Sequence, residues 1–258
     1  MAHAELTRKV AMCFMAHPDD CEILAAATLI HLAKKGWEIH VVTSTPGDCG
    51  SMEQGPEQIA AIRRKEGLAA ALKIGGHYHC LEERDLCVYY NDKTVKKAAS
   101  LMRAVAPSLV ITHSLVDYMM DHEETAKIVR GATFGYAIPN FVNGPIAQGS
   151  IVPWLYYADP IEGLDVYGKK VPPSTYVNVT DTMDQKIEAL CEHASQREWL
   201  RAHHGMDQYV AATKEWGSHR GGEASCTYAE AFRQHKGHPY PQSCLLQQEL
   251  GDLVTHAE

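Results

Sequence analysis

Several things are missing from this sequence, and each absence narrows what it can do. Its eight cysteines contain no CxxC pair, so a cysteine-based zinc array is excluded and the thiols are expected reduced in core and loops. No GxGxxG occurs, so nucleotide binding has no support. No run is as long and apolar as a membrane span. Positive charge is in deficit: Lys and Arg total 24 against 32 Asp and Glu, a net charge of −8. A nucleic-acid partner would call for the opposite balance. Met1 to Lys9 is polar and lacks the apolar stretch of a signal peptide, so a cytoplasmic protein is expected. Internal repeats and low-complexity segments are absent too.

What remains is an ordinary globular composition, 45% hydrophobic and 22% charged over 258 residues. That length fits one domain, 1–258. Lys9 to Met15 reads as a buried strand, Cys21 to Lys35 as an amphipathic helix stopped by Gly36, and Glu38 to Ser44 as the next strand. Glu57 to Lys73 is predicted helical, Tyr78 to Leu81 a short strand, and Asn91 to Val105 a helix capped by Asn91. Ser108 to Thr112 is a strand and Glu123 to Ala137 a helix. This alternation predicts an α/β fold, with a Rossmann-like, mostly parallel sheet and helices on both faces.

The first 138 residues carry that core, and 139–258 a smaller extension of strands and helices. Short strands are read at Trp154 to Ala158 and Thr175 to Val179. Asp181 to His203 reads as one long helix, and Gln208 to Trp216 as another. From Ser218 on, Gly, His and Pro dominate, and a lid, an oligomer contact or a loosely ordered tail is expected. Trp154, Tyr156 and Tyr157 read as core.

Two stretches gather the chemistry. Ala16-His17-Pro18-Asp19-Asp20 sits between the first strand and the first helix. An Asp there can be a plain N-cap and the His a solvated loop residue. In an open α/β sheet, though, the loop after a strand's carboxyl end is where ligands collect. The second stretch, His113 to Thr125, follows the Ser108 to Thr112 strand and holds Asp121-His122. Two such loops can face each other across one crevice. His17, Asp20 and His122 would then form a two-His, one-carboxylate zinc site, whose open fourth position suits catalysis. Asp19 is spare and can take a proton from water there. Asp121 also reads as the N-cap of the later helix, with Glu124 at N3, and is assigned to substrate binding. The Gly47-Asp48-Cys49-Gly50-Ser51 loop borders the same crevice. Asp48 is a candidate substrate contact and Asp85 a weaker candidate of that kind, although a plain turn also accounts for the loop.

Ala-His-Pro-Asp-Asp after a strand, with Asp-His opening a later helix, resembles the LmbE-like (PIG-L) de-N-acetylases. The resemblance implies a zinc hydrolase that removes an acetyl or small acyl group from an N-acetylglucosamine-type amino sugar or conjugate. It implies His17, Asp20 and His122 as ligands and Asp19 as general base. Arg63 of Arg63-x-x-Glu66 would contact substrate, and Lys186 to Gln196 looks like the family's Lys…His-x-Ser-Gln stretch. Homo-oligomers are common in the family and self-association is expected. One position departs. Many members carry a His three residues before the last ligand, where this chain has Met119. Its role would pass to His193, Tyr118 or His113, with His193 preferred. Met119 also keeps open a carbon–nitrogen hydrolase for another small-molecule conjugate, or a metal-binding relative without turnover.

Overall fold

The computed structural model describes residues 8–147, 150, 152–197 and 208–257. The first strand, β1 (Val10–Met15), is buried along its whole length. An unbroken apolar strand of this kind must be covered on both faces, and it is. Ala11, Cys13 and Met15 pack into one hydrophobic cluster, while Met12 and Phe14 pack into another on the opposite face.

Parallel units follow: α1 (Asp20–Leu24), α2 (Ala26–Lys34), β2 (Glu38–Thr43), α3 (Pro56–Lys73), β3 (Gly76–Cys80), α4 (Asp92–Val105), β4 (Leu109–Thr112), α5 (Met120–Gly135) and β5 (Trp154–Ala158). Pro56 opens α3 where a missing N–H costs nothing. Asn91 caps α4 by accepting from the Thr94 amide at 3.0 Å, as its sequence position predicts. The second part adds β6 (Thr175–Asn178), α6 (Met183–Leu190), α7 (Gln208–Glu223), β7 (Ala229–Gln234), α8 (Leu245–Leu250) and β8 (Val254–His256).

All eight strands form one sheet in the order β3-β2-β1-β4-β5-β7-β6-β8. The pairs from β3 through β5 are parallel, and β7, β6 and β8 extend the sheet antiparallel. Strand order reverses between β1 and β4. That is the switch point where loops at the carboxyl ends part and leave a crevice.

Four expectations change. The single helix read over Cys21 to Lys35 breaks at Ala25, whose φ is −145°. Side chains from far along the chain satisfy the break. Lys186 Nζ donates to the Ile23 carbonyl, and the Glu230 carboxylate accepts from the Ala27 and Thr28 amides. The helix read over Asp181 to His203 ends at Leu190, and a short helical turn over 194–197 follows; the rest of that prediction lies outside the described residues. The region after Ser218 is integral to the fold, since α7 runs to Glu223 and β7, α8 and β8 follow. Phe232 on β7 is fully buried in the same cluster as Ala11 and Cys13. Finally, α5 begins at Met120 with Met119 in the cap position and no side-chain cap, so Asp121 lies inside the first turn.

Candidate metal centre and active site

The β1–α1 loop and the β4–α5 loop meet at the switch point. His17, Asp20 and His122, all buried, present one donor atom each within 4.8 Å of one another. The Asp20 carboxylate lies between the rings, with Oδ2 3.3 Å from His17 Nδ1 and Oδ1 3.6 Å from His122 Nε2. The His17 amide also donates to Asp20 Oδ2 at 2.7 Å, which ties the loop to its own carboxylate.

Each imidazole is held from behind. His122 Nδ1 stands 2.9 Å from Asp117 Oδ1. A proton on Nδ1 serves that carboxylate and leaves Nε2 as a lone pair facing Asp20. His17 Nε2 faces Asp85 Oδ1 at 3.0 Å and Asp121 Oδ2 at 3.3 Å, which frees Nδ1 for the centre in the same way. This backing by carboxylates fixes tautomer and ring direction in metal sites. His113 stacks on His122 at 3.9 Å and 8°. It is fully buried, with Nε2 3.1 Å from Asp20 Oδ2.

The charges follow from this packing. Burial opposes charge on His17, but Asp121, Asp20 and Asp85 outweigh it and hold its pKa well above the ordinary imidazole value. His122 is raised for the same reason: burial lowers it, and Asp20 and Asp117 more than compensate. Burial would raise Asp20, yet His122, His113 and His17 hold it well below the usual carboxylate range. A cation in this pocket meets one ionised carboxylate and two directed imidazoles, which is a donor set that suits a divalent metal.

Asp19 occupies the cap position of α1, but its side chain makes no cap bond. Its φ of 116° lies in the left-handed region, a strain of about 1–3 kcal/mol that surrounding contacts must hold. Tyr209, on the first turn of α7, donates its hydroxyl to Asp19 Oδ2 at 2.5 Å. Arg63 Nη2 reaches the same oxygen at 3.4 Å and the Pro18 carbonyl at 2.6 Å. Burial raises the Asp19 pKa, Arg63 pulls it down, Asp20 pushes it up, and His193 and Tyr209 pull it down; the net direction is up. A raised carboxylate is suited to accept and return a proton.

Gly47 and Gly50 are explained by Arg63. A methyl group at either position would collide with its guanidinium, and Gly47 has φ +72°. The loop's glycines therefore make room for a buried arginine. Glu66, three residues on, accepts from the Ser195 amide and hydroxyl at 2.8 and 2.7 Å, and Gln196 Nε2 donates to the Gly50 carbonyl. The Arg-x-x-Glu and His-x-Ser-Gln segments thus hold each other.

The other sequence candidates are placed as follows. Asp48 accepts from the Asp85 amide at 2.8 Å and borders an open groove of about 680 Å³ with Glu57, Arg64, Glu82 and Arg84. The Asp121 carboxylate turns inward, accepting from the Leu86 and Val88 amides beside its contact with His17. His193 is fully buried, with Nε2 3.2 Å from Glu22 Oε2 and no hydrogen-bond partner for Nδ1 among the described residues. Burial lowers its pKa, but Glu22 and Asp19 raise it further, and the net shift is upward. Tyr118 stands at the mouth, mostly exposed and edge-on to His122.

Sequence reasoning missed Asp117 and Tyr209. Asp117 carries a signal, being an acid five residues before a ligand in a loop rich in metal donors. Tyr209 carries none, since no spacing links it to Asp19.

Comparison with known proteins agrees with this geometry. Residues 12–133 match the family model PIG-L, GlcNAc-PI de-N-acetylase. The chain is 24% identical over 201 residues to 4-oxalmesaconate hydratase of Pseudomonas putida, covering 74% of this chain and 76% of the relative. It is 25% identical over 198 residues to diacetylchitobiose deacetylase of Thermococcus kodakarensis, covering 73% and 70%. The fold superposes on N,N'-diacetylchitobiose deacetylase from Pyrococcus horikoshii with a TM-score of 0.75 at 24% identity, covering 92% of this chain and 88% of the other. The matched segment runs from within β1 into α5 and contains every donor of the centre, so residues 12–133 carry the match to the PIG-L (LmbE-like) family domain.

Proposed function

We propose that this chain is a metal-dependent hydrolase that removes an acetyl or similarly small acyl group from an amino sugar or its conjugate. One observation carries the reading: beside a buried His17–Asp20–His122 donor set stands a second carboxylate, Asp19, held in a strained backbone by Tyr209 and Arg63. A structural metal has no use for such a group. The relative named as diacetylchitobiose deacetylase supports the substrate class.

His17, Asp20 and His122 would hold the ion, for which zinc is our assignment. When bound, it supplies Lewis acidity toward a carbonyl oxygen and toward water. Asp19 takes the proton of the attacking water through Oδ1, since Oδ2 already accepts from Tyr209 and Arg63. Breakdown requires a proton on the amine nitrogen. Asp19 can return the one it took, and His193, kept basic by Glu22, is our assignment for a second source. Arg63 also donates from Nη1 to the Gly47 carbonyl at 3.4 Å, and its Nε, without a hydrogen-bond partner among the described residues, is our assignment for the contact with substrate. The groove beside Asp48 carries the charged side chains of Glu57, Arg64, Glu82 and Arg84, which suit sugar hydroxyls. Asp121 serves the substrate by fixing the Leu86–Val88 backbone at the rim of the crevice. Self-association is part of this proposal. Among the described residues, no helix is long and apolar enough to cross a membrane.

The test is release of free amine from N-acetylglucosamine and N,N'-diacetylchitobiose by the metal-loaded chain, with Asp19→Asn as control. Turnover by the native chain alone supports the reading. Bound metal without amine release from either sugar removes it. The hydratase relative supports a second reading, addition of water to an unsaturated acid. Consumption of 4-oxalmesaconate without any amide cleavage would establish it.

A further inference from the structure

A second group of histidines stands away from the crevice, on the body of β2 and β3 at the parallel edge of the sheet. His40 and His77 are register partners on these neighbouring strands, and β3 is the terminal strand of the order. His79 lies two residues beyond His77, and Glu38 two residues before His40. The period of two puts all four side chains on one face. His40 is buried and His77 exposed.

The contacts assign the protons. His40 Nε2 lies 3.0 Å from Glu38 Oε1, and His40 Nδ1 lies 2.9 Å from His79 Nε2. A carboxylate can only accept, so His40 Nε2 carries the hydrogen. Nδ1 is then a lone pair, and His79 Nε2–H donates to it. The His40 and His79 rings stack at 19°, with centroids 5.2 Å apart, and the His77 ring is 5.1 Å from His40 on the same face. Burial lowers the pKa of both His40 and His79; Glu38 counters it at His40, while His77 and Arg8 reinforce it there. Both rings are therefore neutral at pH 7 and keep lone pairs for a ligand.

We propose that His40, His77 and His79 form a second divalent-cation site, separate from the catalytic centre, with Glu38 orienting His40 from behind. One proton now sits between His40 Nδ1 and His79 Nε2. An ion takes both nitrogens as ligands once the gap between them widens, and the His79 proton passes from Nε2 to Nδ1 by exchange with solvent, so that both rings stay neutral. His77, exposed at the register position of His40, swings in as the third ligand. The Glu38–His40 pair is the carboxylate–histidine arrangement that aligns metal-binding imidazoles. All-imidazole ligation selects Cu2+, Ni2+ or Zn2+ and rejects Mg2+ and Ca2+, which demand oxygen.

Cu2+ is the probe, titrated into the full-length untagged chain already loaded with Zn2+ at the catalytic centre. The native chain should take up one more equivalent of Cu2+ than the His77→Gln/His79→Gln double variant. Its paramagnetic resonance spectrum should show hyperfine structure from imidazole nitrogens that the double variant loses, while the zinc content of the two chains stays equal. Glu38→Gln should weaken Cu2+ binding by about tenfold. Equal uptake and identical spectra in native and double-variant chains would overturn the proposal, as would Cu2+ entering only by expelling zinc. His77→Gln alone changes one exposed side chain, so weaker Cu2+ binding in that variant tests the site even if the double variant fails to fold.

Discussion

Tyr209 and Asp19 lie 190 positions apart in the chain, yet the tyrosine hydroxyl donates to the aspartate at 2.5 Å. This bond joins α7, from the second part of the chain, to the loop after β1. It gives Asp19 a fixed direction and leaves one oxygen for chemistry.

Tyr209→Phe removes that donor and little volume. A hydrogen bond to a charged group contributes about 1.5–3 kcal/mol, so kcat should fall by about ten- to a hundredfold. Tyr209 pulls the Asp19 pKa down, so its loss lets that pKa climb. The acid limb of the pH–rate profile should therefore move to higher pH, with metal content unchanged. A profile that stays in place would show that Tyr209 does not act on Asp19.

Asp19→Asn keeps shape but cannot take a proton. Turnover should drop by about a hundred- to ten-thousandfold, while the metal, measured by atomic absorption, stays bound. Near-native turnover would remove Asp19 as the base.

Asp117→Asn leaves His122 in place but weakens the acceptor behind it. Loss of such a partner costs about ten- to a hundredfold in metal affinity. Chelator competition reads this directly. Restoring full activity with excess metal would show that Asp117 acts only through His122.

The pH dependence of the metal-free chain has a definite sign. His17 and His122 have folded-state pKa values raised above 6.5. Their protonated forms stabilise the chain fully below the unfolded value, and that contribution is lost as pH rises through the raised values. Asp20 acts elsewhere: its lowered pKa adds stability above the unfolded carboxylate value and loses it only in acid. Chelator-treated protein should thus lose thermal stability as pH rises above neutrality. Added zinc should raise Tm most at the alkaline end, because there it displaces no proton. A Tm gain that grows toward acid would contradict the assigned ligands.

Lys186 and Glu230 form a buried pair at 2.8 Å beneath the α1–α2 break. Removing one partner of such a pair costs about 3–5 kcal/mol. Lys186→Met should lower the denaturant midpoint accordingly, and Lys186→Met/Glu230→Gln should recover part of the loss. Equal stability of native chain and single variant would place the break's support elsewhere.

Local pattern determined much of this. The apolar run Val10 to Met15, the punctuated loop of His17, Pro18, Asp19 and Asp20, and the helical spacing after it made the parallel units legible. Periodicity is a short-range property, fixed by which face of a strand or helix meets the core. The gathering of His17, Asp20 and His122 was legible for the same reason, because both loops follow parallel strands and must open at one end of the sheet. Reading failed where distant chain satisfied a local break. Ala25 interrupts a helix that spacing alone extends, because Lys186 and Glu230 supply its missing partners. The tail after Ser218 looked loose because Gly, His and Pro obscure the strand that carries Phe232. Ala16 to Asp20 set out an ambiguity, whether Asp19 was a helix cap or a proton acceptor. Residue order could not resolve it, since both need the same position. Tertiary structure removed the cap reading, by turning that carboxylate away from the α1 amides and onto Tyr209 and Arg63. Those contacts depend on how α3 and α7 pack, and no spacing along the chain encodes them.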